Sequence, residues 1–593
     1  VETVNNYKNN NYAVIMAKRL LLAVLAASVI SVTGNSQSIV PAEWKFLKGD
    51  KQEFADSSFN DYWWDNISPL TVWEKQGFAG YDGYAWYRVK VVIPRSLKRN
   101  AYKYGGLILN LGRIDDADIT WFNGHNIGST GKFPPDYASA YDTQRSYIIP
   151  PEYVKWNKKN TIAVRVYDAG GDGGLYGGPV KLTNRGNPDL ITLGTVITEP
   201  DRIFKGSPDV AIPVTLKSDF RKKYRGVLSL KIDTDFGDEF VTQSQEVAVK
   251  AQDSGIFTFT VMNLVPGFYK VTASVESRLG NKKYNFNFGY EPEKIISPPD
   301  PQPDFNEFWQ TAKAELRSVD PQFRMIKIDS LCTDRHNVYL VEMCSLGNAL
   351  IRGWYQVPAR PGRYPAIMQV PGYSSTIVPS YVNYGDDIIG FGLNVRGHGN
   401  STDDVNPGFP GFILYNILDK EKYIYRGVYM DCIRGIDFLF SRPEVDTSRV
   451  AVEGASQGGA LTFVTAALDN DRISVCAPQV PFLSDFRDYF RVAAWPANEF
   501  INLVEAEKKL SWNQVYYTLS YFDIKNLAPM IKAPLLMGVG LMDQTCPPHI
   551  NFAAYNNVPG KKKYIVYPEA GHGLPQAFYY EKMAWIKTKF GID

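Results

Sequence analysis

From Trp44 to about Leu182, apolar and polar positions alternate in short runs such as Trp86 to Ile93 and Gly106 to Leu111, broken by Gly, Pro, Asn and Asp. A period of two between turn residues predicts strands, and so many predict an all-β domain. The alternation returns between Leu190 and Tyr290, in Asp209 to Leu216, Gly226 to Ile232, Glu246 to Val249, Gly255 to Val261 and Gly267 to Val275. Their spacing suits an immunoglobulin-like sandwich of about one hundred residues. Glu291 to Pro303 (EPEKIISPPDPQP) is Pro-rich and reads as a semi-rigid linker.

Beyond the linker the period changes. Asp304 to Glu307 reads as a capping box opening a helix with Phe305, Phe308, Ala312 and Leu316 on one face. Strands then alternate with helical stretches: Asn337 to Cys344, Ile351 to Val357, Pro365 to Val370, Ile388 to Val395, and a helix from about Tyr425 to Phe440. This predicts an α/β domain with parallel strands. The expected organisation is a leader and signal peptide (1–36), a β-domain (37–189), the immunoglobulin-like sandwich (190–290), the linker (291–303) and the α/β domain (304–593).

The leader expectation rests on MAKRLLLAVLAASVISVTGNSQ, starting at Met16. Lys18 and Arg19 precede an apolar core, Leu20 to Val32, too short to span a bilayer comfortably, and Gly34 and Ser36 precede the expected cut. No Cys follows for a lipid anchor and no later segment is apolar enough to span, so an exported chain without a membrane partner is expected. The 64 basic and 62 acidic residues nearly balance and form no basic run, which argues against nucleic acid. The five Cys are scattered without a C-x-x-C, so neither a disulfide framework nor a zinc site is expected.

The candidate chemistry lies in Arg449 to Leu468, RVAVEGASQGGALTFVTAAL. A Val-rich strand runs into Gly454-Ala455-Ser456-Gln457-Gly458, and a helix follows from Ala460. Strand, G-x-S-x-G turn and helix together define a nucleophile elbow, which places Ser456 as the candidate nucleophile. A serine needs a base and an orienting carboxylate, in the order Ser, Asp or Glu, His on this scaffold. Ala533 to Gly540 reads as a buried strand delivering Asp543, and Lys563 to Tyr567 as the next, followed by His572. Of the other histidines, His125 lies in the first β-domain and His336 and His398 precede the nucleophile. His549 follows Pro547-Pro548 at an expected helix start, so His572 is the preferred base. The amides of Gln457 and of Tyr373, in the loop after Pro365 to Val370, are the candidate oxyanion donors.

Two resemblances follow. Residues 82–88 (DGYAWYR), 111–118 (LGRIDDAD) and 121–128 (WFNGHNIG) resemble the galactose-binding-like jelly roll attached to β-galactosidase-type glycoside hydrolases and sialate O-acetylesterases. That likeness implies a β-sandwich, with Arg88 and Trp121 serving packing and pairing. PDFNEFW, IRGWYQVP, VRGHG, RPEVDTSRVAVEGASQGG, PQVPFLSDF, the stretch from Ser520 to Asn556 and the Gly571-His572-Gly573 tail are similar to the acetyl xylan esterase and cephalosporin-C deacetylase family of carbohydrate esterases.

The second resemblance covers nearly all of residues 304–593 and implies an α/β-hydrolase. Its nucleophile, acid and base fall on Ser456, Asp543 and His572, and its oxyanion donors on the Tyr373 and Gln457 amides. It implies an O-acetylated oligosaccharide or polysaccharide as substrate, with neither metal nor organic cofactor. Pro371 stands where the family has His, His398 where it has Gln, and Gly573 where it has Glu. Ala497 follows Pro496 where a Tyr is usual, so Ser374, Pro496 and Ala497 are expected to flank an acyl pocket wider than the family's. An esterase for feruloyl-type groups, a serine peptidase and a sugar-binding protein with an inactive hydrolase domain remain as alternatives.

Overall fold

The structure, a computed structural model, describes residues 39–592 apart from 136, 138, 142, 171, 172 and 507–509. The expected leader, residues 1–36, lies outside the described residues, and among these no helix is long and apolar enough to cross a membrane. The chain divides into two compact units, residues 1–186 and 187–593.

The first unit carries a six-stranded sheet in the spatial order Asp65–Ile67, Trp44–Lys48, Gly83–Val92, Lys159–Asp168, Ala117–Phe122, His125–Thr130. A smaller sheet is built on Leu107–Asp115, flanked by Lys181–Asn184 and Gln144–Ile149. Alternate residues Tyr87, Val89 and Val91 enter the core with Phe46, Leu109 and Val164. Arg88 is fully buried and donates from Nε to Asp61 Oδ2 at 3.0 Å, while Trp121 stacks on Trp86 at 5.2 Å between ring centroids. Both residues pack and pair, as expected of them.

The second unit opens with a three-stranded sheet (Ile191–Thr195, Val210–Ser218, Asp253–Val261) and a five-stranded one. The latter runs Ile203–Phe204, Lys282–Tyr290, Gly267–Glu276, Tyr224–Thr234, Glu239–Val249. Ile212, Val214, Leu230, Val271 and Phe286 fill the space they share. The expected run Glu246 to Val249 is the end of a strand that begins at Glu239.

A nine-stranded sheet follows, made of β1 (Arg324–Lys327), β2 (His336–Cys344), β3 (Leu350–Pro358), β4 (Tyr364–Gln369), β5 (Ile389–Asn394), β6 (Val445–Ala455), β7 (Val475–Gln479), β8 (Leu535–Gly540) and β9 (Lys562–Tyr567). Its spatial order is β1-β2-β3-β5-β4-β6-β7-β8-β9. Only β4 to β9 are mutually parallel; β1, β2 and β3 pair antiparallel, which corrects the expectation of a wholly parallel sheet. The physical reason is length, since the few residues between β2 and β3 reverse the chain but cannot carry a crossover.

Apart from the single turn Ile524–Leu527, the described α-helices that accompany this sheet are α1 (Phe305–Ser318), α2 (Ile424–Phe440), α3 (Gln457–Leu468), α4 (Phe486–Val492), α5 (Ala497–Ala506), α6 (Trp512–Phe522), α7 (Pro548–Asn556) and α8 (Gln576–Phe590). α1 buries Phe305, Phe308, Ala312 and Leu316 as its spacing requires, but the capping box does not form. Asp304 makes no side-chain cap bond and instead accepts from Lys420 and from the Tyr521 hydroxyl.

Residues 291–303, expected as a semi-rigid linker, are strapped to the α/β layer. Asn556 Nδ2 donates to the carbonyls of Pro292 (3.0 Å) and Ile295 (3.1 Å), and Asn557 Nδ2 to that of Ser297 (2.7 Å). Ile295, Ile203 and Phe268 join the same buried cluster as Phe552 of α7. The sandwich therefore shares apolar surface with the α/β layer.

Candidate active site

Ser456 sits between β6 and α3 with φ 61° and ψ −119°, a backbone that a non-glycine residue holds only when its surroundings impose it. The glycines around it show what imposes it. A Cβ on Gly454 would lie 2.7 Å from the Val370 carbonyl oxygen, and one on Gly458 only 2.3 Å from it. A Cβ on Gly459 would lie 2.4 Å from the carbonyl oxygen of Gln479. The elbow is thus wedged between the ends of β4 and β7, where only glycine backbone fits. Ser456 N donates to Gln479 O at 3.0 Å and Phe482 N to Ser456 O at 3.0 Å, fixing the turn from both sides.

The loops after β8 and β9 bring Asp543 and His572 together. His572 Nδ1 donates to Asp543 Oδ2 at 2.8 Å. The other oxygen, Oδ1, accepts from the amides of Thr545 (2.8 Å) and Cys546 (2.9 Å), so both oxygens of a fully buried carboxylate are engaged. Keeping the proton on Nδ1 leaves Nε2 as the basic nitrogen. His572 keeps 31% of its side chain exposed. Cys546 bridges the two halves of the site, because its Sγ lies 4.0 Å from Ser456 Oγ. Burial, and then the adjacent Asp543 charge, push the Cys546 thiol pKa well up, so it stays a protonated neighbour.

The elbow is tied to the Tyr373 loop through Gln457, whose Nε2 lies 3.3 Å from Pro371 O and 3.0 Å from His398 Nε2, while Oε1 accepts from Tyr425 at 2.6 Å. Burial pulls the His398 pKa down to about 4, so the ring is neutral and accepts from Gln457. This explains how a histidine is accommodated at that position.

Tyr373 is buried, and its hydroxyl lies 3.3 Å from both carboxylate oxygens of Glu499. Glu499 also accepts from Gly411 N at 2.7 Å, locking a second loop beside the first. Burial first, then the Glu499 charge, drive the Tyr373 pKa far above its usual value.

Ser374 is exposed, with φ 61°. Pro496 and Ala497 are buried at the start of α5. Trp495 meets the Tyr373 ring instead, edge-on at 5.7 Å, and stays 45% exposed. Sequence reasoning missed Glu499, Trp495 and Cys546. The one local sign of Glu499 is a carboxylate inside the run ANEFINLV, whose other residues are mostly apolar.

His549, the competing base, is 7% exposed at the start of α7. Its Nδ1 lies 2.8 Å from Asp235 of the sandwich and its Nε2 3.3 Å from Asp488 of α4. Burial opposes its charge, but the two carboxylates outweigh burial and push the pKa up to about 9.

An elbow serine above parallel strand ends, with an Asp–His pair on later strand ends, defines the class of hydrolases that work through a serine-bound acyl group. The family model described as acetyl xylan esterase (AXE1) matches residues 291–589. The chain belongs to this family and is a carboxylic ester hydrolase.

A curated relative, acetyl esterase Axe7A of Xylanibacter ruminicola, is 29% identical over 340 residues, covering 55% of this chain and 75% of the relative. Acetyl xylan esterase 1 from Thermoanaerobacterium sp. JW/SL YS485 is 32% identical with a TM-score of 0.47, over 50% of this chain and 96% of that one. The acetyl xylan esterase from Paenibacillus sp. R4 is 35% identical with a TM-score of 0.47, over 49% of this chain and 97% of that one.

Proposed function

We propose that this chain is an exported carbohydrate O-acetyl esterase acting on acetylated xylan, xylo-oligosaccharides or related plant glycans. The observation that carries the reading is the Asp543–His572 hydrogen bond beside the Ser456 elbow, in a chain of the acetyl xylan esterase family. The family's description as acetyl xylan esterase supports the acetyl group and the xylan backbone, and the relative named as an acetyl esterase supports the acetyl group. Residues 37–189 are read as a galactose-binding-like jelly roll, 190–290 as an immunoglobulin-like sandwich, 304–593 as an α/β-hydrolase domain, and 16–36 as the export signal.

In the proposed mechanism Ser456 Oγ attacks the acetyl carbonyl carbon while His572 Nε2 takes its proton. Asp543 holds the Nδ1–H tautomer and stabilises the imidazolium. The developing oxyanion is received by two amides. Gln457 is the first residue of α3, where an N–H has no intrahelical acceptor, and Tyr373 is presented by the loop that Glu499 and Gln457 hold. Collapse expels the sugar oxygen, which takes the proton from His572. Water, deprotonated by the same nitrogen, then releases acetate and restores the serine. Metal and organic cofactor have no part in this scheme.

Acetate release from acetylated xylo-oligosaccharides by the full chain and by Ser456→Ala tests the reading. Loss of a triad member costs roughly 10⁴–10⁶ in kcat. Retention of a tenth of the wild-type rate would remove Ser456 as nucleophile, and release of ferulate in preference to acetate would overturn the acyl assignment.

A further inference from the structure

The seam between the second unit's sandwich and its α/β layer holds a cleft of about 450 Å³, within the range of about 300–1,000 Å³ that small-ligand sites occupy. One wall is the outer face of the sandwich strands Gly267–Glu276 and Lys282–Tyr290. Alternation there sends Val271 and Phe286 into the core and turns Lys270, Thr272, Asn285 and Asn287 the other way. Register pairs Thr272 with Asn285 and Lys270 with Asn287, so hydroxyl, amide and ammonium groups form a two-row ladder along the cleft.

The facing wall is the loop 541–548 that carries Asp543, with Met542 and Gln544 lining the cleft. Its rim and the rim of the active site are made of consecutive residues. Asp543 turns to His572 while Gln544 is exposed beside the cleft, and Ala494 lines the cleft while Trp495 packs on Tyr373. The walls are held in register by Asn287 Nδ2 donating to Leu541 O (2.9 Å), the Asp235–His549 pair (2.8 Å) and Phe268 against Phe552 (5.5 Å).

We propose that this cleft is a subsite for a neutral glycan chain, holding sugar units next to the one whose acetyl group lies at Ser456. The proposal rests on the esterase reading above. Thr272, Asn285 and Gln544 offer hydroxyl and amide groups to sugar hydroxyls, while the charged groups of the lining are engaged with protein partners, Lys270 with the Asp235 carbonyl (3.1 Å) and His549 with the Asp235 carboxylate (2.8 Å). The sandwich thereby supplies substrate contacts rather than acting as a spacer alone.

The test compares kcat/KM on an acetylated xylotetraose with that on phenyl acetate, in the full chain and in two variants. Asn285→Ala combined with Thr272→Ala removes two sets of hydrogen bonds, and Thr272→Trp fills the cleft. Both should lower the ratio of the two values about tenfold, with the loss falling on KM. Unacetylated xylotetraose should bind the wild-type chain by calorimetry and bind Thr272→Trp at least tenfold more weakly. An unchanged ratio, or no xylotetraose binding, overturns the subsite while phenyl acetate turnover leaves the esterase reading standing. Xylotetraose binding that the variants weaken, in a chain that releases no acetate from any ester, supports the subsite and sinks the esterase reading.

Discussion

Two histidines of the second unit meet an aspartate at the same distance, 2.8 Å, and are fitted for opposite tasks. His572 has one carboxylate partner, on Nδ1, and 31% of its side chain faces solvent. His549 is closed in by carboxylates at both ring nitrogens, and its pKa is pushed up to about 9. The first has its carboxylate on Nδ1 alone, which under the proposed mechanism leaves Nε2 for Ser456. The second is a fixed cation that staples the sandwich to α4 and α7. Short His–Asp contacts alone therefore do not mark a base; what occupies the other ring nitrogen decides.

The widest separation between the two comes from alanine substitution. His572→Ala should lower kcat by about 10⁴-fold or more with little change in unfolding midpoint, because the residue lies on a half-exposed loop. His549→Ala should do the reverse. Removing one partner from a buried charged cluster costs about 3–5 kcal/mol, read as a lower denaturant midpoint, while the folded fraction keeps its esterase turnover. Equal kcat losses at both sites would dissolve the comparison.

A pH series sharpens it. The raised folded-state pKa of His549 adds stability that is fully present below its ordinary value of 6.5 and disappears as pH rises through about 9. Between pH 7 and 10 the wild-type chain should lose on the order of 3 kcal/mol through this group, and His549→Gln should lack that limb of the curve. The same slope in both proteins would mean that another group carries it.

Acyl size gives the smallest expected effect. Ala497 is buried at the start of α5, and the exposed ring at Tyr373 is that of Trp495. Trp495→Ala should therefore shift the acetyl-to-butyryl kcat/KM ratio by about tenfold towards butyryl, since a methylene in such a pocket is worth about 1–3 kcal/mol. Ala497→Tyr should overpack α5 and lower stability instead. A larger selectivity shift at Ala497 than at Trp495 would return the acyl wall to the residue the sequence pointed to.

What the sequence revealed was local. The elbow was legible because three glycines in six residues answer to close backbone contacts with Val370 and Gln479 that any other side chain would break. Asp543 and His572 were legible as candidates because both follow short strands, LLMGVG and KKYIVY, in the order the chemistry needs. The groups that hold the site were not. Glu499 clamps Tyr373 from 126 residues away, and Asp235 meets His549 across 314, so no period or spacing announces either pair. The docking of the segment after Tyr290 was hidden for a related reason. Its prolines signal stiffness, while the Asn556 and Asn557 amides that dock it lie in a helix far along the chain.

The central claim is that Ser456 carries the acyl group. Inactivation by a serine-directed organophosphate, followed by peptide mapping of the full chain, measures this most directly. One adduct per chain on the peptide holding Ser456, formed in step with loss of acetate release and absent in Ser456→Ala, is the predicted result. Stoichiometric labelling of another residue in step with inactivation, or full activity with Ser456 modified, would contradict it.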